Sequence, residues 1–108
     1  MAGLRRGDIH HVRFPHTNDR RQSGARPGVV IQTNALGKWS TVIVVPLSRS
    51  AHDLAFRSKV TIGDTESVAM VDHMASVDTR RIGAHIGSLS ANELVDMESA
   101  IRTVLAIR

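Results

Sequence analysis

The sequence predicts a mainly β (α+β) domain, in which short strands form a small antiparallel barrel and one C-terminal amphipathic α-helix packs on it. Short runs rich in Val and Ile, separated by turn-forming residues, fill the first two thirds of the chain, which is typical of such barrels. The gaps between the runs are too short for the crossover helices that parallel strands need. With 108 residues, we expect residues 1–108 to form a single domain.

Five apolar runs predict the strands, and the polar residues between them predict the turns. The first run alternates imperfectly after Gly7, whereas the second and third are nearly continuous in β-branched residues, as expected of strands buried on both faces. The segments 33–38 and 63–65 separate neighbouring runs and predict hairpin turns. The predicted strands are Asp8–Phe14, Gly28–Gln32, Thr41–Leu47, Ser58–Ile62 and Glu66–Asp72.

The C-terminal segment has the pattern of an amphipathic helix. Ser90 and Glu93 form a capping-box motif, in which the serine hydroxyl accepts from the Glu93 amide and the carboxylate reaches back to the Ser90 amide. The apolar residues that follow recur at helical spacing and predict a face that packs on the barrel. They are Leu94, Met97, Ile101, Val104 and Leu105.

Two polar segments that contain arginine, Pro15–Arg26 and Ser48–Arg57, interrupt this pattern. Both are long for connections in so small a domain, and loops of that length are usually functional or mobile. We therefore expect binding residues in these two loops.

Charge is distributed unevenly along the chain. The whole sequence has a net charge of +4, but residues 1–59 contain ten Lys or Arg and three Asp or Glu, whereas residues 60–108 contain four and seven. The first half therefore carries +7 and the second half −3. This asymmetry indicates either a polyanion or acidic protein segment that binds the first half, or simply a solvated basic face.

Composition excludes several kinds of chemistry. The chain has no cysteine, so disulfides, thiolate nucleophiles and sulfur-ligated zinc are excluded. His10 and His11 are adjacent on a predicted strand and point to opposite faces, so they cannot bind one ion together, and the spacing of the other histidines predicts no metal site. The sequence shows no signal peptide and no apolar run long enough to span a membrane, so we expect a cytoplasmic protein without a membrane partner.

Five segments occur in an order and spacing that match a known family. They are Arg6-Gly7-Asp8-Ile9, residues 24–31 (GARPGVVI), residues 42–48 (VIVVPLS), Val71-Asp72-His73 and residues 86–90 (IGSLS). Together with the C-terminal helix, they resemble the MazF/PemK (Kid-like) toxins of bacterial type II toxin–antitoxin systems over nearly the whole chain. The resemblance implies an SH3-like antiparallel barrel with a C-terminal helix, acting as a homodimer.

The same resemblance implies a function. Members of this family are sequence-specific endoribonucleases that cleave single-stranded RNA without a metal or other cofactor, leaving a 2′,3′-cyclic phosphate and a 5′-hydroxyl and inhibiting translation and growth. An acidic antitoxin protein, MazE-like or similar, neutralises the toxin. For this chain, the resemblance therefore implies two partners, single-stranded RNA (mRNA, tRNA or rRNA) and an acidic antitoxin.

The resemblance also assigns three catalytic residues. When a 2′-hydroxyl attacks the adjacent phosphate, the enzyme must take up one proton, donate another to the leaving 5′-oxygen and stabilise charge on the phosphate oxygens. Arg26 matches the arginine of the family's Arg-Pro motif and would bind the phosphate, with proton transfer as a second role, and Ser48 would hydrogen-bond a phosphate oxygen. Asp72 would either act as the base or cap the turn at His73. From the residues alone, a surface ion pair for Arg26 and a turn position for Ser48 are the alternatives.

The first long loop departs from the family pattern. Arg21 stands where many relatives have Glu, Arg20 where Kid-like members have His, and Met70 where those members have Arg. A base at the matching loop positions is therefore missing, and His16 is a substitute if the loop folds inward. The residues expected to bind RNA are polar or basic side chains of the two loops: His16, Arg20, Arg21, Gln22, Arg49 and Arg57.

Two other functions fit the same barrel. A CcdB-like toxin would bind and poison DNA gyrase, although the final residues Val104–Arg108 lack the aromatic side chains on which such proteins generally rely. A toxin with weakened catalysis would only bind RNA. Trp39 and Phe56 are either core residues or platforms on which bases stack.

Overall fold

The computed structural model describes residues 3–15, 24–52 and 54–108. Within these ranges the chain forms seven β-strands followed by one α-helix. They are β1 (Asp8–Phe14), β2 (Gly24–Val30), β3 (Thr41–Ser48), β4 (Lys59–Ile62), β5 (Thr65–Ala69), β6 (Ala75–Asp78), β7 (Ile82–Ser88) and α1 (Ala91–Leu105). Short 3₁₀ turns lie at Asn34–Leu36, Val71–His73 and Thr79–Arg81. No helix in the described ranges is long and apolar enough to cross a membrane.

The strands form an antiparallel sheet that curls into a half-barrel. The hydrogen-bonded order is β4-β5-β3-β2-β1-β7, and β6 pairs with β3 outside this path. One edge of β3 is divided between two strands, since residues 41–44 pair with β6 and residues 47–48 pair with β5. The turn Thr79–Arg81 connects β6 to β7, at the other end of the strand order. The predicted antiparallel barrel with a C-terminal helix is confirmed.

Two apolar cores lie on the two faces of the sheet. Alternate residues of a strand point to opposite faces, so Ile9 and Val45 belong to the core that α1 covers, whereas Val12 and Val44 belong to a second core on the opposite face of the sheet. We call them the helix core and the barrel core. All four side chains are fully buried, and burying a side chain of this kind contributes about 1.5–3 kcal/mol.

The helix begins where the sequence predicts. Ser90 Oγ accepts from the Glu93 amide at 3.1 Å, and Glu93 Oε1 accepts from the Ser90 amide at 2.8 Å. Glu93 Oε2 also accepts from the Thr61 amide at 2.8 Å, so the cap ties α1 to β4. Met97 is buried in the helix core, but Leu105 is exposed because it is the last residue of the helix.

The boundaries of β2 and β5 correct the sequence predictions. β2 begins at Gly24 rather than Gly28, because residues 24–27 pair with β1 although Pro27 has no amide hydrogen to donate. β5 ends at Ala69, and Asp72 lies in a 3₁₀ turn rather than in a strand. Arg26 is therefore held by a strand, not by a loop.

β6 and β7 have no counterpart among the predicted strands. Their sequences, ASVD and IGAHIGS, contain few β-branched residues. A Cβ added at Gly83 would lie 3.2 Å from the carbonyl oxygen of His11, so the glycine permits the close approach of β7 to β1. The same residue weakens the strand signal in the sequence, because glycine is unfavourable in strands.

Candidate functional site

Arg26 and Ser48 lie at the same end of two neighbouring strands. Arg26 is in β2, opposite Val12 of β1, and Ser48 is the last residue of β3. The ladder between β2 and β3 ends at the pair Gly28–Pro46, and Arg26 and Ser48 each lie two residues beyond it. Because alternate residues of a strand share a face, Arg26 points to the same face as Gly28, and Ser48 to the same face as Pro46. Two of the three predicted catalytic residues thus lie at the same end of neighbouring strands.

The Ser48 hydroxyl is arranged to donate a hydrogen bond. Ser48 is only 9% exposed, and its Oγ accepts from the Ser50 amide at 3.2 Å. Because this bond uses a lone pair, the hydroxyl hydrogen stays available for Ser50 Oγ, 3.4 Å away, or for a bound acceptor. Ser48 is therefore both a turn residue, as one alternative has it, and a hydrogen-bond donor.

The guanidinium of Arg26 is uncommitted within the described part of the chain. Arg26 is half-buried, and it forms no hydrogen bond or ion pair with any described residue, in contrast to Arg6, Arg57 and Arg80. Arg49 follows Ser48 directly and is exposed. Within the described part of the chain, neither arginine has a partner that would compete with an anion.

Arg57 and Asp72 form a bidentate ion pair at another position. Arg57 Nε donates to Asp72 Oδ1 at 3.0 Å, and Nη2 donates to Oδ2 at 2.8 Å. The side chains are 9% and 26% exposed, respectively. The hydrogen bonds from Arg57 lower the pKa of the Asp72 carboxyl, and the same bonds raise the pKa of Arg57. Asp72 is therefore ionised and only weakly basic near neutral pH.

The surroundings of this pair fix the loop between β3 and β4. Arg57 Nη1 donates to the carbonyl of His52 at 3.4 Å, and its guanidinium lies 5.7 Å from the ring centroid of Phe56. Phe56 packs against the helix core, which agrees with the core position predicted for it as one of two roles. On the other side, His73 Nε2 lies 3.6 Å from Asp72 Oδ2. The ion pair thus joins the loop to the turn Val71–His73.

The Arg57–Asp72 ion pair makes no described bond to Arg26 or Ser48. Among the described residues, no hydrogen bond or ion pair connects Asp72 with Arg26 or Ser48. Because two nitrogens of Arg57 are bonded to Asp72, the predicted contact of Arg57 with RNA would have to use its remaining N–H groups. The lowered pKa argues against Asp72 as the base, a role that stays a prediction.

Four predicted RNA-binding residues, His16, Arg20, Arg21 and Gln22, lie outside the described residues. The structure agrees with the prediction that His10 and His11 point to opposite faces of β1, since His10 is buried and His11 is exposed. In the ranges that the structure describes, no group of three or more His, Asp or Glu side chains could hold a metal ion.

Sequence reasoning missed Ser50 and His73. The run Ser-Arg-Ser at the end of an apolar strand is a signal for the turn that places the Ser50 amide on Ser48 Oγ, whereas the position of His73 next to Asp72 has no distinctive pattern. The pairing of Arg57 with Asp72 also has no local signal, because the two residues are 15 positions apart and meet only through the fold.

Comparison with known proteins decides the family. Residues 5–105 match the model of the PemK-like, MazF-like toxins of type II toxin–antitoxin systems. The chain belongs to this family. The resemblance drawn from the five motifs is therefore confirmed. The chain is also 25% identical over 111 residues to the endoribonuclease MazF of Staphylococcus epidermidis, an alignment that covers 96% of this chain and 92% of that protein. The expected enzyme class, an endoribonuclease-type toxin, agrees with this relative.

Solved structures with the same fold include further MazF toxins. An endoribonuclease from a mycobacterial species, solved in complex with its cognate antitoxin, has a TM-score of 0.80 and 16% identity over 98% of both chains. The Mycobacterium tuberculosis toxin MazF-mt6 has a TM-score of 0.78 and 20% identity, covering 94% of this chain and 98% of that one. At these identities, the two structures establish the fold.

Proposed function

We propose that this MazF-like toxin cleaves single-stranded RNA without a metal ion and leaves a 2′,3′-cyclic phosphate and a 5′-hydroxyl. The observation that carries the proposal is the placement of Arg26 and Ser48 at the same end of β2 and β3, each two residues beyond the pair Gly28–Pro46. A cation and a hydroxyl donor on one face suit the two non-bridging oxygens of one phosphodiester.

In the proposed reaction, the 2′-oxygen forms a bond to phosphorus and the bond from phosphorus to the 5′-oxygen breaks. One proton leaves the 2′-hydroxyl and one reaches the 5′-oxygen, so atoms and charge balance without a co-reactant. Arg26 neutralises the charge that builds on the phosphate, and Ser48 donates its hydroxyl hydrogen to a second oxygen. Arginine is nearly always protonated, so its main contribution is electrostatic.

The remaining predicted residues fall into two groups in this proposal. Arg49, which has no partner among the described residues, binds a flanking phosphate, and His16, Arg20, Arg21 and Gln22 of the first loop supply further RNA contacts. Arg57 and Asp72 hold the loop between β3 and β4 in position. The base that takes up the 2′-hydroxyl proton is then a residue outside this ion pair, and His16 is the first candidate to test.

The basic first half of the chain suits a second partner. An acidic antitoxin segment that covers Arg26 and Arg49 would compete with RNA for the same charges. We further propose that the toxin is a homodimer that acts in the cytoplasm. Sedimentation of the purified protein at micromolar concentration tests the dimer, and a monomer would contradict it.

The test of the reaction is incubation of purified protein with a long single-stranded RNA in EDTA, followed by mapping of both new ends. We expect cleavage with a cyclic phosphate on the upstream fragment. Arg26→Ala should lower the rate by at least 100-fold, since removing one group that stabilises the transition-state charge typically costs about 10²–10³-fold. Arg5→Ala is the matched control, because it removes the same charge from an exposed position of the basic half.

Intact RNA at excess protein would overturn the enzyme proposal and leave an RNA-binding barrel. DNA breaks that depend on gyrase would favour the CcdB-like alternative. Cleavage that requires added metal would contradict the proposed mechanism even if RNA were cut. Equal activity of Arg26→Ala and Arg5→Ala would show that the site does not lie at the end of β2 that carries Arg26.

A further inference from the structure

A cavity of about 710 Å³ opens at the end of the half-barrel away from Arg26. Residues 3–4, the connection between β2 and β3, and the turn Thr79–Arg81 surround it. Along β2, Val30 and the following Gln32 lie four and six residues beyond Arg26, which is roughly 13–20 Å at 3.3 Å per residue. The mouths of β-barrels are common ligand sites, and cavities of about 300–1,000 Å³ hold small molecules.

The floor of the cavity is apolar, and one wall is a fixed aromatic ring. Four aliphatic side chains line the floor: Leu4, Val30, Val42 and Ile82. Trp39 is 63% exposed, so a core position is wrong for it. Its Nε1 donates to the carbonyl of Leu36 at 2.7 Å, which satisfies the polar edge and holds the ring in place. The exposed ring face therefore offers a flat apolar surface next to the cavity.

Among the described residues at the rim, one positive charge has no ion-pair partner. Of the two basic residues that line the cavity, Arg80 is paired with Asp78 at 2.8 Å. Lys38, next to Trp39, has no ion pair with any described residue. A bound molecule with one negative charge would complement Lys38, and an apolar floor favours an aromatic body.

The wall also contains a buried acceptor. His10 is 9% exposed, and its Nδ1 lies 3.0 Å from the carbonyl oxygen of Gly83. A carbonyl oxygen only accepts, so Nδ1 carries the hydrogen and Nε2 of the neutral ring is an acceptor. Nε2 is buried and has no partner in the described part of the chain. Because this nitrogen has essentially no accessible surface, a molecule in the cavity does not reach it, and the ligand contacts come from the apolar floor, the Trp39 ring and Lys38.

We propose that this cavity is a binding site for a small, flat aromatic anion. The aromatic body stacks on Trp39 and fills the apolar floor, and the anionic group faces Lys38. The site is separate from Arg26 and Ser48, and binding there does not depend on RNA cleavage.

The probe for the test is 8-anilinonaphthalene-1-sulfonate, which combines flat aromatic rings with one negative charge. Because Trp39 is the only tryptophan of the chain, energy transfer from its fluorescence to the probe reports binding near the cavity. We expect saturable binding of one probe per chain, with an affinity that falls as salt is added because the anion is held partly by Lys38.

Two variants and two matched controls decide the outcome. Thr41→Phe fills the cavity that Thr41 lines, and Lys38→Glu reverses the charge at the rim; each should weaken binding at least tenfold. Thr65→Phe places the same ring at the start of another exposed strand, and Arg102→Glu reverses an exposed charge on the helix; both should bind as the wild type does. Lys38 is exposed, so its variant decides the matter even if Thr41→Phe unfolds. Absence of binding, or equal binding by Lys38→Glu and Arg102→Glu, would overturn the proposal.

Discussion

Replacing Asp72 with Asn removes the charge that faces Arg57 but keeps the size and shape of the side chain. The substituted amide can still accept one hydrogen bond, whereas its NH₂ group would point a donor at the guanidinium. Arg57, with its side chain 9% exposed, would then be almost buried without a negative partner. We expect Asp72→Asn to destabilise the fold.

The magnitude follows from the exposure of the two side chains. Two unit charges 4 Å apart attract by about 4 kcal/mol at an effective dielectric constant of 20, and desolvation offsets part of this gain. Breaking a fully buried pair costs about 3–5 kcal/mol, whereas an exposed pair contributes about 1 kcal/mol or less. Since Arg57 is nearly buried and Asp72 is 26% exposed, we expect about 2 kcal/mol for Asp72→Asn, between those limits.

The assay is urea unfolding of wild type and Asp72→Asn at several pH values. The pKa of Asp72 is lower in the folded state than in the unfolded state, so its contribution is fully present above the unfolded pKa of about 3.9 and is lost as the pH falls through the folded-state pKa. The difference between the two proteins should therefore be largest near neutral pH and shrink below about pH 4.

The control is Asp64→Asn, because Asp64 is exposed in the turn between β4 and β5. Its unfolding midpoint should match that of the wild type at every pH. A cost for Asp72→Asn that stays constant between neutral and acidic pH would refute the electrostatic argument, because a packing defect does not titrate. An unchanged stability at neutral pH would show that the ion pair contributes nothing net.

Three further outcomes test other parts of the structure. Ser48→Ala should lower the rate of RNA cleavage by about 10²-fold with little change in RNA affinity, as for loss of one transition-state donor. Ser50→Ala keeps the amide that donates to Ser48 Oγ, so its cleavage rate should fall less than tenfold. Equal losses for the two variants would assign the donor to neither hydroxyl. Met97→Ala should cost about 2–5 kcal/mol in urea unfolding, because it opens a cavity in the helix core, whereas exposed Leu105→Ala should cost far less. Ser90→Ala should cost about 1 kcal/mol in the same assay through loss of the helix cap, and no change would mean that the Glu93 bond to Thr61 alone holds the helix start.

Local patterns predict those elements whose stability is encoded locally. The cap of α1 and the bounds of β1 follow from a side-chain motif and from alternation next to Gly7. β6 and β7 do not, because their stability comes from pairing with β3 and β1, and a sequence such as IGAHIGS takes its conformation from its neighbours. Pro27 hides the start of β2 for a similar reason, since the ladder continues past a residue that cannot donate.

The same distinction between local patterns and long-range contacts applies to the candidate site. Motif resemblance predicts Arg26 and Ser48 as site residues, and the pairing of β2 with β3 explains why they lie at the same end of the sheet. The partner of Asp72 could not be predicted, because an ion pair between residues 15 positions apart depends on how a loop returns to the sheet. The lowered pKa of Asp72 follows from that contact, so the weakness of Asp72 as a base is visible only in the folded chain.

The divided edge of β3 has a consequence for how the protein unfolds. Val44 lies in the barrel core and Val45 in the helix core, and the strand that carries both is hydrogen-bonded to three others, β2, β5 and β6. Opening either core disturbs the strand that carries residues of both, so we expect the two cores to unfold together. Amide hydrogens in the middle of β3 should therefore exchange only through global unfolding, at a rate set by the stability of the whole molecule.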